Sequence, residues 1–160
     1  MSDQSSTAGG FESHPFLQPL SERHRMLLAS GARPFTAAAG IILARQGTQA
    51  DSFYLVQSGH VALTAGGTSG VELPITTVGP GEVVGWSWLI PPYRWQFTCR
   101  AVDDVRGIAF NTEWLREMCE RDYSLGYDVL RQLVTVMATR LTATRRQLTE
   151  LQHHRGPSST

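Results

Sequence analysis

Short alternating apolar runs, punctuated by glycine, fill the middle of the chain, and a strict helical repeat fills its last third. Between Arg33 and Phe110 the alternation predicts strands at residues 33–36, 41–44, 52–57, 61–65, 73–78, 83–84, 97–102 and 105–110. Ser58-Gly59 and Gly66-Gly67 are turn signals between them. About eight short strands at this spacing predict a closed barrel or a jelly roll. Ahead of them Ser21 is placed to cap a short helix, with Met26, Leu27 and Leu28 as its apolar side and Gly31 as its stop. After them Asn111 or Thr112 caps a helix containing Trp114, Leu115 and Met118.

A longer helix is expected over residues 123–152. Its seam is Tyr123, Tyr127, Leu130, Val134, Met137, Leu141, Thr144, Leu148 and Leu151. The steps alternate 4 and 3 throughout, which is the a/d repeat of a coiled coil, and Thr144 is its polar member. Such a helix is about 45 Å long at about 1.5 Å per residue, more than a small barrel needs to cover itself. The repeat therefore predicts a homodimer, with Leu130, Val134, Met137, Leu141, Leu148 and Leu151 in the seam; a helix folded wholly onto its own barrel is the alternative. The fold class is mainly β with flanking helices, a jelly-roll barrel between a short N-terminal helix and a long dimerisation helix. Residues 1–13 and 153–160 read as disordered tails around one domain at 14–152.

The chain has 160 residues, 41% apolar and 18% charged, which is one ordinary globular domain. No apolar run approaches the roughly 20 residues of a membrane span. The start, residues 1–13, has neither a basic stretch nor an apolar h-region of a secretory leader. Fourteen acidic residues balance fourteen basic ones, all of them Arg, which argues against a surface built to grip nucleic acid. Cys99 and Cys119 are too few for a disulfide framework or a Cys-only zinc site. Two reduced, packed thiols are the expectation, in a cytoplasmic protein.

Enzyme chemistry finds no constellation. A cupin metal site needs several His, and His60 is the one in the barrel region; His14, His24, His153 and His154 lie outside it. There is no G-x-S-x-G elbow, and Gly81-Glu82-Val83-Val84-Gly85 is no P-loop in a chain without Lys. Asp103-Asp104 reads as a solvated turn. The expectation is no enzyme and no metal. The unusual stretch runs from Gly85 to Trp95 and holds Trp86, Trp88 and Trp95, a double proline and Arg94. Such aromatic density makes a rigid wall for a planar ligand or a partner, and Arg94 can pair with phosphate; the same residues also serve as core plugs.

Residues 42–61, ILARQGTQADSFYLVQSGHV, resemble the first hairpins of a cyclic-nucleotide-binding domain, and residues 79–85, GPGEVVG, resemble the lead into that family's phosphate-binding cassette. The resemblance covers about residues 14–152 and adds sensor halves of catabolite-activator-type regulators to the comparison. It implies a cyclic nucleotide, cyclic AMP or cyclic GMP, or another small anion, held between barrel and long helix. The implied ligand residues are Val84, Gly85, Trp86, Ser87, Trp88, Leu89, Arg94, Trp95, Gln96 and Thr144, the last matching a purine-contacting Thr. The cassette departs from the family twice. Trp86 stands where the family has a Glu for the ribose hydroxyl, and Trp95 where it has the phosphate Arg, with Arg94 one residue early. Cyclic AMP and cyclic GMP are accordingly expected to bind weakly, with Arg94 as the anion partner.

Eight residues follow Gln152, too few for a winged helix-turn-helix, so specific DNA binding is not expected. The expected function is a regulatory sensor module that signals through its dimer helix to a protein partner, with no membrane. The alternative is a domain whose tryptophans close the pocket, acting as a dimeric interaction module. A DNA-binding regulator ranks below both.

Overall fold

Phe53 and Leu55 are buried while Ser52 and Tyr54 are half-exposed, and this two-residue period makes Ser52–Ser58 a strand with one face on a core. The computed structural model describes residues 10–67 and 70–154. Its strands are β1 (Ala32–Ala37), β2 (Ile42–Ala44), β3 (Ser52–Ser58), β4 (Val61–Gly66), β5 (Glu72–Val78), β6 (Val83–Val84), β7 (Thr98–Ala101) and β8 (Val105–Asn111). They form two four-stranded sheets in the orders β1-β8-β3-β6 and β2-β7-β4-β5. Every pairing is antiparallel. Successive strands cross from one sheet to the other, apart from the β4–β5 hairpin, which is the jelly-roll arrangement the alternation predicts. Of the second predicted turn, Gly66 is the last residue of β4 and Gly67 follows it; residues 68 and 69 lie outside the described residues.

One apolar core includes Phe53, Leu55, Leu63, Val84, Ile108 and Phe110, and in it the paired Phe53 and Phe110 turn their rings to the flanking segments, against Phe11, Phe16, Trp88 and Trp114. Central β8 is buried along most of its length, and Gly107 sits where a Cβ would come within 2.1 Å of the Leu55 carbonyl oxygen. Among the described residues three helices of eight residues or more flank the barrel: α1 (Glu22–Ala29), α2 (Thr112–Arg121) and α3 (Tyr123–His154). Ser21 caps α1 by accepting from the His24 N–H, and Asn111 caps α2 by accepting from the Trp114 N–H. Asp122 starts α3, its Oδ1 accepting from the N–H groups of Ser124 and Leu125.

Four details differ from the sequence expectation. Residues 10–13 are helical, not tail, because Phe11 buries its ring beside Phe110. Residues 1–9 and 155–160 lie outside the described residues, while α3 continues through His153 to His154, two residues into the expected tail. Met26 points to solvent; Leu28 is the buried residue of that apolar triplet. Gly31 follows the end of α1 as expected but without the positive φ of a glycine cap; the Trp114 ring packs against it, and a Cβ there would lie 2.4 Å from that ring.

α3 carries two apolar faces. Leu125, Val129 and Leu133 are fully buried and Val136 packs against the same core. These residues fall on the side turned away from the a/d seam, so Leu130, Val134, Met137, Leu141, Leu148 and Leu151 stay exposed in the single chain. No helix of the described residues is long and apolar enough to cross a membrane.

Candidate ligand site

The cassette begins where β6 ends. Gly85 has φ +100, a conformation L side chains rarely adopt, and a Cβ there would lie 2.7 Å from the Trp95 ring. The chain then makes a single 3₁₀ turn, Ser87–Leu89, with Trp86 ahead of it. Trp88 is fully buried against Phe53, at 5.6 Å between ring centroids, and its indole N–H has no hydrogen-bond partner among the described residues. Trp95 is buried and stacks on Tyr54 at 6.5 Å and 21°. Val84 and Ser87 are buried, while Trp86 and Leu89 are half-buried. The sequence-selected residues from Val84 to Leu89 and Trp95 therefore gather around β3, with Trp88 against Phe53 on one face of the strand and Trp95 against Tyr54 on the other.

Arg94, Gln96 and Thr144 do not join them. Residues 93–95 run beside the loop at 47–50: Trp95 donates to the Thr48 carbonyl and Ala50 to the Tyr93 carbonyl. Arg94 is exposed and donates to the Gly47 carbonyl at 2.9 Å. Gln96 is exposed and donates to the Arg94 carbonyl. Thr144 lies on the exposed seam with its hydroxyl donating to the Arg140 carbonyl.

Two arginines that sequence reasoning did not single out serve the cassette. Arg116 of α2 donates to the Trp88 carbonyl at 2.9 Å and stacks its guanidinium over the Tyr93 ring at 4.3 Å, holding both ends of the turn. Arg140 of α3 reaches into the barrel margin and donates to the carbonyl of Val83, in β6. Burial lowers its pKa, against the opposing pull of the Glu82 carboxylate. Among the described residues Arg140 makes no ion pair. Burial pushes the neighbouring Cys99 thiol up to about 12, so it is a neutral packed group. Beside Arg140 opens a cleft of about 310 Å³ between the N-terminal segment, the turn before β6 and α3, with Pro15, Phe16, Glu82, Gln132 and Thr139 on its walls.

The barrel, its two flanking helices and a glycine-framed turn presented to α3 form the geometry against which known proteins compare. The family model of the cyclic nucleotide-binding domain matches residues 34–122. The chain belongs to the cyclic nucleotide-binding domain family. A Geobacter metallireducens GS-15 protein assigned as a cyclic nucleotide-binding protein is similar at 24% identity and a TM-score of 0.73, over 88% of this chain and 98% of that one. A cyclic nucleotide-binding domain from Methylobacillus flagellatus KT superposes at a TM-score of 0.72 and 19% identity, over 82% of this chain and 74% of that one. The catabolite activator protein of Thermus thermophilus is 26% identical at a TM-score of 0.66; the match covers 86% of this chain and 63% of that protein. No curated protein matches the chain in sequence. The family is one of regulatory, sensor-type folds, as the sequence resemblance implied.

Proposed function

We propose that this domain is a regulatory sensor that takes a small anion, cyclic AMP or cyclic GMP first among them, where β6 meets α3. The observation that carries the reading is Arg140. Its guanidinium is half-buried, donates to a neutral carbonyl, and forms no ion pair among the described residues, although the charge of Glu82 acts on it from a distance. A ligand anion would supply that partner, and a charge-assisted bond is worth about 1.5–3 kcal/mol. Arg140 thus takes over the anion role for which Arg94 is placed by sequence, since Arg94 is turned to the loop at 47–50. Residues Val84 to Leu89 form the ligand wall, with Trp86 as the stacking face. Binding would pull on α3 through Arg140, and a homodimer along the exposed seam would pass that shift to a protein partner.

A second reading rests on the tryptophans. Trp88 and Trp95 are core residues here, and a closed wall with an exposed apolar helix face fits a dimeric interaction module. Thermal melting with cyclic AMP and cyclic GMP separates the two. Ligand at about 100 times its Kd adds about 2.7 kcal/mol to the folded state, a rise in Tm that the sensor reading expects and the interaction module does not.

A further inference from the structure

His24 in α1 is buried and uses both ring nitrogens on groups about a hundred residues away in sequence. Nδ1 lies 2.5 Å from Asp128 Oδ2, and Nε2 lies 3.0 Å from Ser124 Oγ, both on α3. The order Ser, His, Asp has the connectivity of a hydrolytic triad, but its proton count is different. The Ser124 hydroxyl donates to Asp122 Oδ1 at 2.6 Å. Asp122 is held ionised, its pKa lowered to about 2 by bonds from Ser124 and Leu125, with Arg23 adding to the effect. A hydroxyl has one proton, so Ser124 has none to offer His24 and must accept from Nε2–H. The Asp128 carboxylate also accepts. Both ring nitrogens are therefore donors, and a ring with two N–H groups is an imidazolium.

We propose that doubly protonated His24 is a clasp that locks α1 to the first turns of α3, and that its deprotonation releases α3 at this end. The charged groups around it are Asp128 directly, Asp122 through the Ser124 hydroxyl, and Arg23 on its own helix, which is paired with Asp122 at 2.6 Å. Cys119, beside Asp122, is a neutral thiol pushed up to about 11 and adds no charge. Neutral imidazole has one N–H, so loss of the proton breaks one of the two bonds whichever tautomer forms. Imidazole is the side chain whose unperturbed charge changes between about pH 5 and 8. The device lies on α3 between the barrel and Arg140, and it does not depend on any ligand.

The test is nitrogen NMR of histidine-labelled protein from pH 5.5 to 8.5, together with hydrogen exchange of α1 amides corrected for intrinsic rates. In the wild type both His24 nitrogens carry protons at the acid end. Protection of α1 falls about tenfold or more as the proton leaves, the loss of one charge-assisted bond. Ser124→Ala, at an exposed position, and Asp128→Asn each move the deprotonation midpoint to lower pH. His24→Gln makes α1 protection independent of pH over this range. An unprotonated nitrogen on His24 at pH 5.5, a midpoint untouched by both variants, or α1 protection that is flat in the wild type would each overturn the clasp. If Asp128→Asn fails to fold, Ser124→Ala alone decides the midpoint.

Discussion

Replacing Leu141 with Asp separates the two faces of α3 by their energetics. Leu141 is 56% exposed, whereas Leu133 on the opposite face is 2% exposed. In a lone chain, Leu141→Asp is a surface change worth about 0.5 kcal/mol or less. In a parallel pair of helices the two Asp side chains face each other. At about 6 Å and an effective dielectric of about 20 they repel by about 3 kcal/mol. Each chain also forfeits about half the burial of a leucine, about 1 kcal/mol. The sum, about 5 kcal/mol, weakens dimerisation by more than about three decades. Leu133→Ala acts differently: it empties a core position at a cost of about 2–5 kcal/mol to folding. Sedimentation velocity at micromolar concentration, paired with thermal melts, reads both. The expected results are a wild-type dimer, a folded Leu141→Asp monomer, and a Leu133→Ala protein with lowered Tm. A wild type that sediments as a monomer, or a Leu141→Asp variant that stays dimeric, would refute the assignment of the seam.

Two further outcomes follow from the barrel. His14 is buried with Nδ1 accepting from the Phe16 N–H and Nε2–H donating to the Val56 carbonyl, so it is neutral, and burial lowers its pKa below the ordinary 6.5. Its contribution to stability is complete above about pH 6.5 and is lost as pH falls toward the lowered value, because the unfolded chain takes up the proton first; melts from pH 7.5 to 4.5 should show this fall, and His14→Gln should flatten it. Gly85→Ala places a Cβ 2.7 Å from Trp95 at φ +100, so Tm should drop by the equivalent of about 1–3 kcal/mol with a change in tryptophan fluorescence; an unchanged melt would mean that the turn is not pinned as described.

The strands were legible because each is short, alternating and closed by glycine, so local pattern and barrel agree on them. The exposed apolar row of α3 was legible for the same reason, as a period. The face that docks on the barrel was not, because Leu125, Val129 and Leu133 are spaced by four and sit within a helix already explained by a longer repeat. Phe11 was missed among polar neighbours, since its partner, Phe110, is close in the fold but far along the chain. The site was half legible. Counting along the cassette places the candidate segment from Val84 to Leu89, which is local, but not where a side chain turns: Tyr93 has φ 58, and Arg94 leaves toward Gly47. Arg140 is one of fourteen arginines, and only tertiary packing sets it against β6. His24 likewise has no local signal, because Ser124 and Asp128 reach it from another helix.

The claim that a small anion binds between β6 and α3 rests on one guanidinium, and isothermal calorimetry on three proteins tests it. Cyclic AMP and cyclic GMP are titrated into the wild type, Arg140→Gln and Arg94→Ala. The account predicts binding to the wild type, weakened about tenfold or more in Arg140→Gln by loss of the charge-assisted bond and little changed in Arg94→Ala. Binding that survives in Arg140→Gln but disappears in Arg94→Ala would contradict it, as would the absence of heat from either nucleotide with the wild type.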